Sequence, residues 1–319
     1  KNFGVLFVPE GKYHISRTIY VPGAVRIIGY GKNRPEFILS KNSPGFDREY
    51  PSDKGKSKYM FWFTGGVVKD ENNIPDANAG TFYSAMSNVN ITIEDGNPYA
   101  VALRTHYAQH CFVSHMVINI GKARAGLFEV GNEMEDIAFY GGDYGIMTTK
   151  ASPGWQVMMV DAYFEGQRKA AVRSQESGIA IVNLQVKNVP MVFDIDENYW
   201  EKIYVENGRF ENVSGPAFNI AVENNSNNSI TLRDVWCSDV PVLAAFKRTG
   251  EQTIVSYRKY HVKSFDHGLQ MESLTDMPKY KTLLSAEPVA KLPAVMKSAL
   301  PTLPPMSEWK NLRELGARG

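Results

Sequence analysis

A chain of 319 residues, 43% hydrophobic and 22% charged, can fill a long core and does not have the composition of a disordered polymer. Its 35 basic and 34 acidic side chains leave a formal charge of +1, and that balance excludes a general nucleic-acid or anionic-membrane binder. No apolar run approaches the ~20 residues that span a bilayer, so neither nucleic acid nor membrane is an expected partner.

In chain order, strands are expected over residues 4–9, 15–22 and 25–28, separated by Gly and Pro turns. Residues 41–58 are polar and carry Pro and Gly, the signature of a loop insertion. A repeat then sets in, led by a polar residue with an apolar one three places later. Asp136 leads to Phe139, Asp161 to Phe164, Asn183 to Val186, Asn207 to Phe210 and Asp234 to Cys237. Asn88 with Ile91 and His115 with Ile118 extend the series less cleanly upstream. A turn residue follows two places on, at Gly141, Gly166, Asn188, Asn212 and Asp239, and then a second short apolar segment. The leading residues are 25, 22, 24 and 27 positions apart. That interval leaves no room for a crossover helix, and it is too short for a propeller blade of roughly 40 residues. The expected fold is therefore all-β, a right-handed parallel β-helix with about 24 residues per coil. Stacked coils lie ~4.8 Å apart, so the Asp/Asn leaders are expected to form an internal ladder serving buried turn amides. Cys111 and Cys237 show no metal-ligand spacing and read as buried thiols, with a disulfide between them left open.

Beyond about residue 275 the repeat ends, and Pro293, Pro301, Pro304 and Pro305 mark an extended linker. The expected organisation is a β-helix domain over 1–290, a Pro-rich linker over 291–308, and the start of a second domain over 309–319. The opening, from Lys1 straight into a strand, reads as a piece of a longer protein.

The run Gly4-Val5-Leu6-Phe7-Val8-Pro9-Glu10-Gly11-Lys12-Tyr13-His14-Ile15, followed by Ile19-Tyr20-Val21-Pro22 and Ile27-Ile28-Gly29-Tyr30-Gly31, resembles the first coils of the pectate-lyase-like superfamily. That superfamily includes the domain shared by family-28-related and family-55 glycoside hydrolases. The tail from Trp309 to Gly319, with Asn311-Leu312-Arg313 and Gly316-Ala317-Arg318-Gly319, is similar to the opening phrase of a further such domain. The resemblance implies a secreted or periplasmic protein acting on a polysaccharide or oligosaccharide, with a β-1,3-glucan-like chain favoured. It also implies a second β-helix domain of the same parent chain as partner, and no cofactor.

Glycoside hydrolysis generally uses two carboxylates, about 5.5 Å apart for retention and roughly 6.5–9.5 Å for inversion. The densest acidic and aromatic cluster offers Glu133, Glu135, Asp143 and Glu165 as acid or base. Tyr144 and Trp155 are its sugar-stacking faces, and Gln167 and Arg168 its polar contacts. Asp143 and Arg168, one coil apart, are placed for a cross-coil ion pair. Glu165, Lys187 and Glu211 fall at one position of successive coils, as a solvated ladder would. Arg104 and His106 are candidates to touch a hydroxyl-rich or anionic ligand. The histidines at 106, 110 and 115 have no recognised ligand spacing, so no metal is expected. His267-Gly268 is superficially similar to the His-Gly of polygalacturonases, but the paired Asp of that family is missing. Two alternatives stand beside hydrolysis. A lyase would draw its base from Lys150, Arg168 or Arg173, and a carbohydrate-binding scaffold would need no convergent carboxylates.

Overall fold

A computed structural model describes residues 4–50, 53, 55–149, 156–221, 227–295, 298, 300, 308, 310 and 313–318. The first strands are β1 (Gly4–Pro9), β2 (Lys12–Ile15), β3 (Ile19–Pro22), β4 (Val25–Tyr30) and β5 (Glu36–Leu39). After a long irregular stretch come β6 (Lys58–Thr64), β7 (Ala85–Ser87), β8 (Asn90–Ile93) and β9 (Ala100–Arg104). Regular coils then alternate long and short strands. They are β10 (Phe112–Gly121), β11 (Ala125–Phe128), β12 (Glu133–Gly141), β13 (Tyr144–Met147), β14 (Val157–Glu165) and β15 (Ala170–Ser174). The series continues with β16 (Ile179–Val189), β17 (Phe193–Ile195), β18 (Lys202–Val213), β19 (Pro216–Ile220), β20 (Ser229–Ser238) and β21 (Val242–Phe246). The chain closes with β22 (Gln252–Ile254), β23 (Lys259–Gln270) and β24 (Lys279–Pro288).

The long strands stack into a 14-stranded sheet and the short ones into a 10-stranded sheet. Every pairing from β1 to β21 is parallel. The fold is thus the expected parallel β-helix, without an α-helix among the described residues. The apolar followers of the repeat form one inward row: Ile118, Phe139, Phe164, Val186, Phe210 and Cys237 are Cα partners in successive coils. All are essentially fully buried. Phe139 and Phe164 stack at 4.7 Å between ring centroids, and Phe193 and Phe218 at 5.2 Å. Each buried Phe contributes about 2–3 kcal/mol of transfer free energy, so a row of such positions holds adjacent coils in register. Both cysteines are buried free thiols; burial pushes Cys111 up to about 11 and Cys237 to about 12.

The seven leading residues, Asn88, His115, Asp136, Asp161, Asn183, Asn207 and Asp234, all adopt φ between +49° and +61°. Each sits where a long strand bends, and this left-handed conformation is cheapest for Gly, Asn and Asp. The ladder differs from expectation in one respect. Asp136 and Asp234 are about half exposed at their side chains, and most of the row bonds to its own members or to nearby cations, while Asn88 donates to the Gly29 carbonyl at 2.8 Å. Asn183 donates to Asp161, Asp136 meets His115 at 2.8 Å and Arg34 at 3.1 Å, and Asp234 meets His261 at 3.1 Å. The left-handed conformation is common to all seven whereas exposure is not, Asn183 being buried, so backbone conformation is the demand that selects the residue type along the row. The predicted turn residues Gly141, Gly166, Asn188, Asn212 and Asp239 likewise have positive φ.

Parallel winding stops earlier than the repeat suggested. β22 pairs antiparallel with β21, β23 antiparallel with β20, and β24 antiparallel with β23. A hairpin folded back over the last coil satisfies an edge that would otherwise be open to pairing. The Tyr140, Glu165, Lys187 and Glu211 positions do fall in register on successive coils.

Candidate functional site

Each short strand turns a central pair of residues inward and leaves an outward residue on either side. Met60 and Phe61, Ala102 and Leu103, and Ala171 and Val172 are inward pairs, all buried in the main core or its wall. Outside them run two rows at the coil pitch of ~4.8 Å. The first holds Tyr59, Val101, Ala125, Tyr144 and Ala170. The second holds Trp62, Arg104, Phe128, Met147, Arg173, Asp194 and Asn219. Together they form a second apolar cluster outside the solenoid core, edged by charge.

The N-terminal half of this face is a closed box. Arg104, 6% exposed at its side chain, forks onto Asp76 with Nε–Oδ1 at 2.9 Å and Nη2–Oδ2 at 2.6 Å. Its guanidinium lies 5.1–5.2 Å from the ring centroids of Tyr59, Trp62 and Phe128, a geometry favourable to a cation. The Trp62 indole donates to Asp76 at 2.7 Å, the Tyr59 hydroxyl donates to Asp53 at 2.5 Å, and His106 lies 3.5 Å from Asp76. Burial works to raise the Asp76 pKa, but the bonds from Arg104, His106 and Trp62 outweigh it and hold the carboxyl far below its usual range. Arg104 and His106 thus clamp an irregular segment onto the sheet.

The C-terminal half is open. Arg173 forks onto Asp196 with both bonds at 2.7 Å, and Gln175 donates to the same carboxylate at 2.5 Å. Lys247 reaches Asp194 at 2.7 Å, and Asn219 donates to it at 3.0 Å. Tyr144 borders the group, with Arg173 at 5.9 Å and Lys169 at 5.6 Å from its ring centroid. The side chains of Asp194, Asp196, Lys247 and Arg173 are 15–34% exposed, enough to meet a ligand. Burial raises the Asp196 pKa and its bonds to Arg173 and Gln175 lower it; the bonds win, and the carboxyl lies below its ordinary value.

The sequence candidates divide between the sheets. Tyr144 lies on the open half, and Asp143 sits at its margin, paired to Arg168 at 2.8 Å and Lys169 at 3.1 Å. The expected cross-coil pair is therefore present, and it holds Lys169 beside the Tyr144 ring. Glu133, Glu135 and Glu165 belong to the 14-stranded sheet instead. Glu133 and Glu135 precede the bend of their coil, with Glu135 3.7 Å from His115. Glu165 follows the bend of the next coil, accepting from Tyr163 at 2.6 Å and Asn188 at 3.1 Å. Gln167 is buried and donates to the carbonyls of Phe139, Gly141 and Glu165, which makes it a staple of the turn. His267 is a buried strand residue bonded to Thr282 at 2.8 Å. Trp155 and Lys150 lie outside the described residues. Among the described residues, no three His, Cys, Asp or Glu side chains converge to hold a metal.

Asp194, Asp196, Asn219 and Lys247 escaped the sequence reading. The 21-residue interval from Arg173 to Asp194, one short of the shortest interval among the leaders from Asp136 to Asp234, was the available signal. Asp53 and Asp76 come from irregular segments and gave none.

A family model described as rhamnogalacturonase A/epimerase, pectate lyase-like, matches residues 1–194. No curated protein matches the chain.

Proposed function

The chain belongs to the pectate-lyase-like rhamnogalacturonase A/epimerase family and on that ground is carbohydrate-active; we propose that it hydrolyses a polysaccharide laid across the open half of the ten-stranded sheet. The observation that carries this reading is the convergence of Arg173, Asp194, Asp196, Asn219 and Lys247 beside Tyr144 on one outward face. Tyr144 is buried beneath Lys169 and Arg173, and the cations and amides supply hydroxyl and carboxylate contacts. Asp194 and Asp196 flank the buried Ile195 and leave the strand on one side. A strand rise of about 3.3 Å per residue puts their backbones roughly 6.6 Å apart, so two carboxylates share one face, as a two-carboxylate hydrolysis requires. Asp196, kept ionised by Arg173, takes the part of the base that activates water. Asp194, the neighbouring carboxyl on the same face, takes the part of the acid.

A non-catalytic glycan-binding role is the second reading. It is favoured by the pairing of both carboxylates with cations, since a general acid needs a raised pKa. Incubating the chain with a β-1,3-glucan and with a polyuronide, following reducing ends and unsaturated product, separates the cases. New reducing ends that vanish in Asp196→Asn support hydrolysis. Unsaturated product points to a lyase, and binding without turnover to the second reading. The expected setting is outside the cytoplasm, with a second β-helix domain of the parent chain alongside. No helix among the described residues is long and apolar enough to cross a membrane.

A further inference from the structure

Besides the bend, the coil has a corner at which the chain enters the long sheet. Just before β12 and β16 that corner is turned by Asn132 at φ +56° and Gly178 at +65°, residue types suited to the left-handed region. In the first coils it is turned by Ala24 at +62°, Tyr83 at +63° and His110 at +59°. A ring at such a position is strained, and burial does not repay Tyr83, which stays 45% exposed. Its ring stacks on that of His110 at 5.2 Å and 11°, and Phe82 stands beside it, 37% exposed with ring centroids 6.3 Å apart.

Phe82 and Tyr83 border a cavity of about 440 Å³ whose floor is unusually poor in side chains, with Gly23, Gly65, Gly66 and Gly80 among its lining residues. A Cβ built on Gly66 would meet nothing within 4 Å, so the space there is open. A second cavity of about 450 Å³ adjoins it and shares Ala24 and Tyr83. The nearby Arg26 donates to the Tyr83 carbonyl at 3.3 Å and lies 5.7 Å from the Phe112 ring centroid, so ring stacking is the main chemistry on offer. A concave, aromatic-walled, glycine-floored space of this volume suits one or two sugar rings.

We propose that this corner is a separate saccharide subsite, in which Phe82 and Tyr83 stack against the C–H face of a pyranose of a polysaccharide chain. The ligand class rests on the carbohydrate reading above, while the location is independent of the carboxylate site.

The test is binding of the folded chain to laminarin and to polygalacturonate by affinity electrophoresis, with the melting temperature measured alongside. Tyr83→Asn keeps a residue that tolerates the backbone and removes the ring. Gly66→Leu fills the cavity from an unstrained position. Both are expected to weaken binding to at least one polysaccharide roughly tenfold, with Tm unchanged or, for Tyr83→Asn, raised by a degree or two. Wild-type affinity in both variants, or no binding by the wild type, overturns the proposal. A lower Tm in Tyr83→Asn with full affinity in Gly66→Leu assigns the ring to folding and also overturns it. Asp196→Asn distinguishes the two readings: turnover that survives it breaks the hydrolysis proposal, and corner binding that survives it leaves the subsite standing.

Discussion

Along the bend of the long sheet, Asp136, Asp161, Asn183, Asn207 and Asp234 stack coil upon coil, and along the outer face of the short sheet Arg173, Asp194 and Asn219 do the same. Both rows are polar, and both contain carboxylates. At the bend, every member has positive φ, so the backbone accounts for Asn and Asp without any reference to a ligand. On the short sheet none of the three has positive φ, and an ordinary strand residue would serve the fold. There the choice of a cation, a carboxylate and an amide calls for a chemical explanation. A polar ladder is evidence of function only where backbone conformation has not already demanded it.

The sharpest way to break this contrast is to remove one carboxylate from the bend and one, the Arg173 partner Asp196, from beside the short-sheet row. Asp196→Asn is expected to lower turnover about 10²–10⁴-fold, the range for loss of an acid or base. Asp161→Asn, at the bend, is expected to leave turnover unchanged. Equal effects at the two sites would erase the distinction.

The closed half of the short-sheet face is predicted to matter for stability. Arg104→Met leaves Asp76 without its fork and is expected to cost about 3–5 kcal/mol in denaturant unfolding, since the arginine is almost fully buried. A cost below about 1 kcal/mol would mean that the segment bearing Asp76 holds its place without the clamp.

Acid titration probes the open half. Asp196 has a folded pKa below its unfolded value, so as pH falls past about 4 the unfolded chain takes up the proton first. Its stabilisation is present above that range and is lost as pH descends through the folded value. Arg173→Met removes the partner that lowers this pKa. Its unfolding free energy should therefore fall less steeply between about pH 5 and 3, and a slope equal to that of the wild type would contradict the pairing.

The smallest expected effect lies at the bend. Asn207→Ala should cost about 1–2 kcal/mol because alanine is strained at φ +56°, whereas Asn207→Gly should stay within a few tenths. Chemical denaturation that ranked these two the other way would show the amide, not the backbone, to be what matters there.

The period of about 24 residues, its apolar row and the positions of the Asn and Asp leaders were legible in the chain, while the left-handed bend they make was read as a ladder serving turn amides. Each coil faces the same neighbours and must meet the same demands, so the pattern recurs at a fixed interval. Phe139, Phe164 and Phe210 are readable for that reason, and so are Asp136 and Asn183. The Arg173 and Asp196 pair was half legible, since Arg173 stood out by type while its partner required the short segments to be aligned coil by coil. Asp53 and Asp76 carry no period, and only folding brings those irregular segments onto Arg104. The same holds for Lys247, which lies beyond β21 and meets Asp194 two coils back, and for the antiparallel closing hairpin. Local backbone demands repeat and leave a mark in sequence, whereas contacts between a coil and a segment that does not repeat are decided by tertiary packing alone.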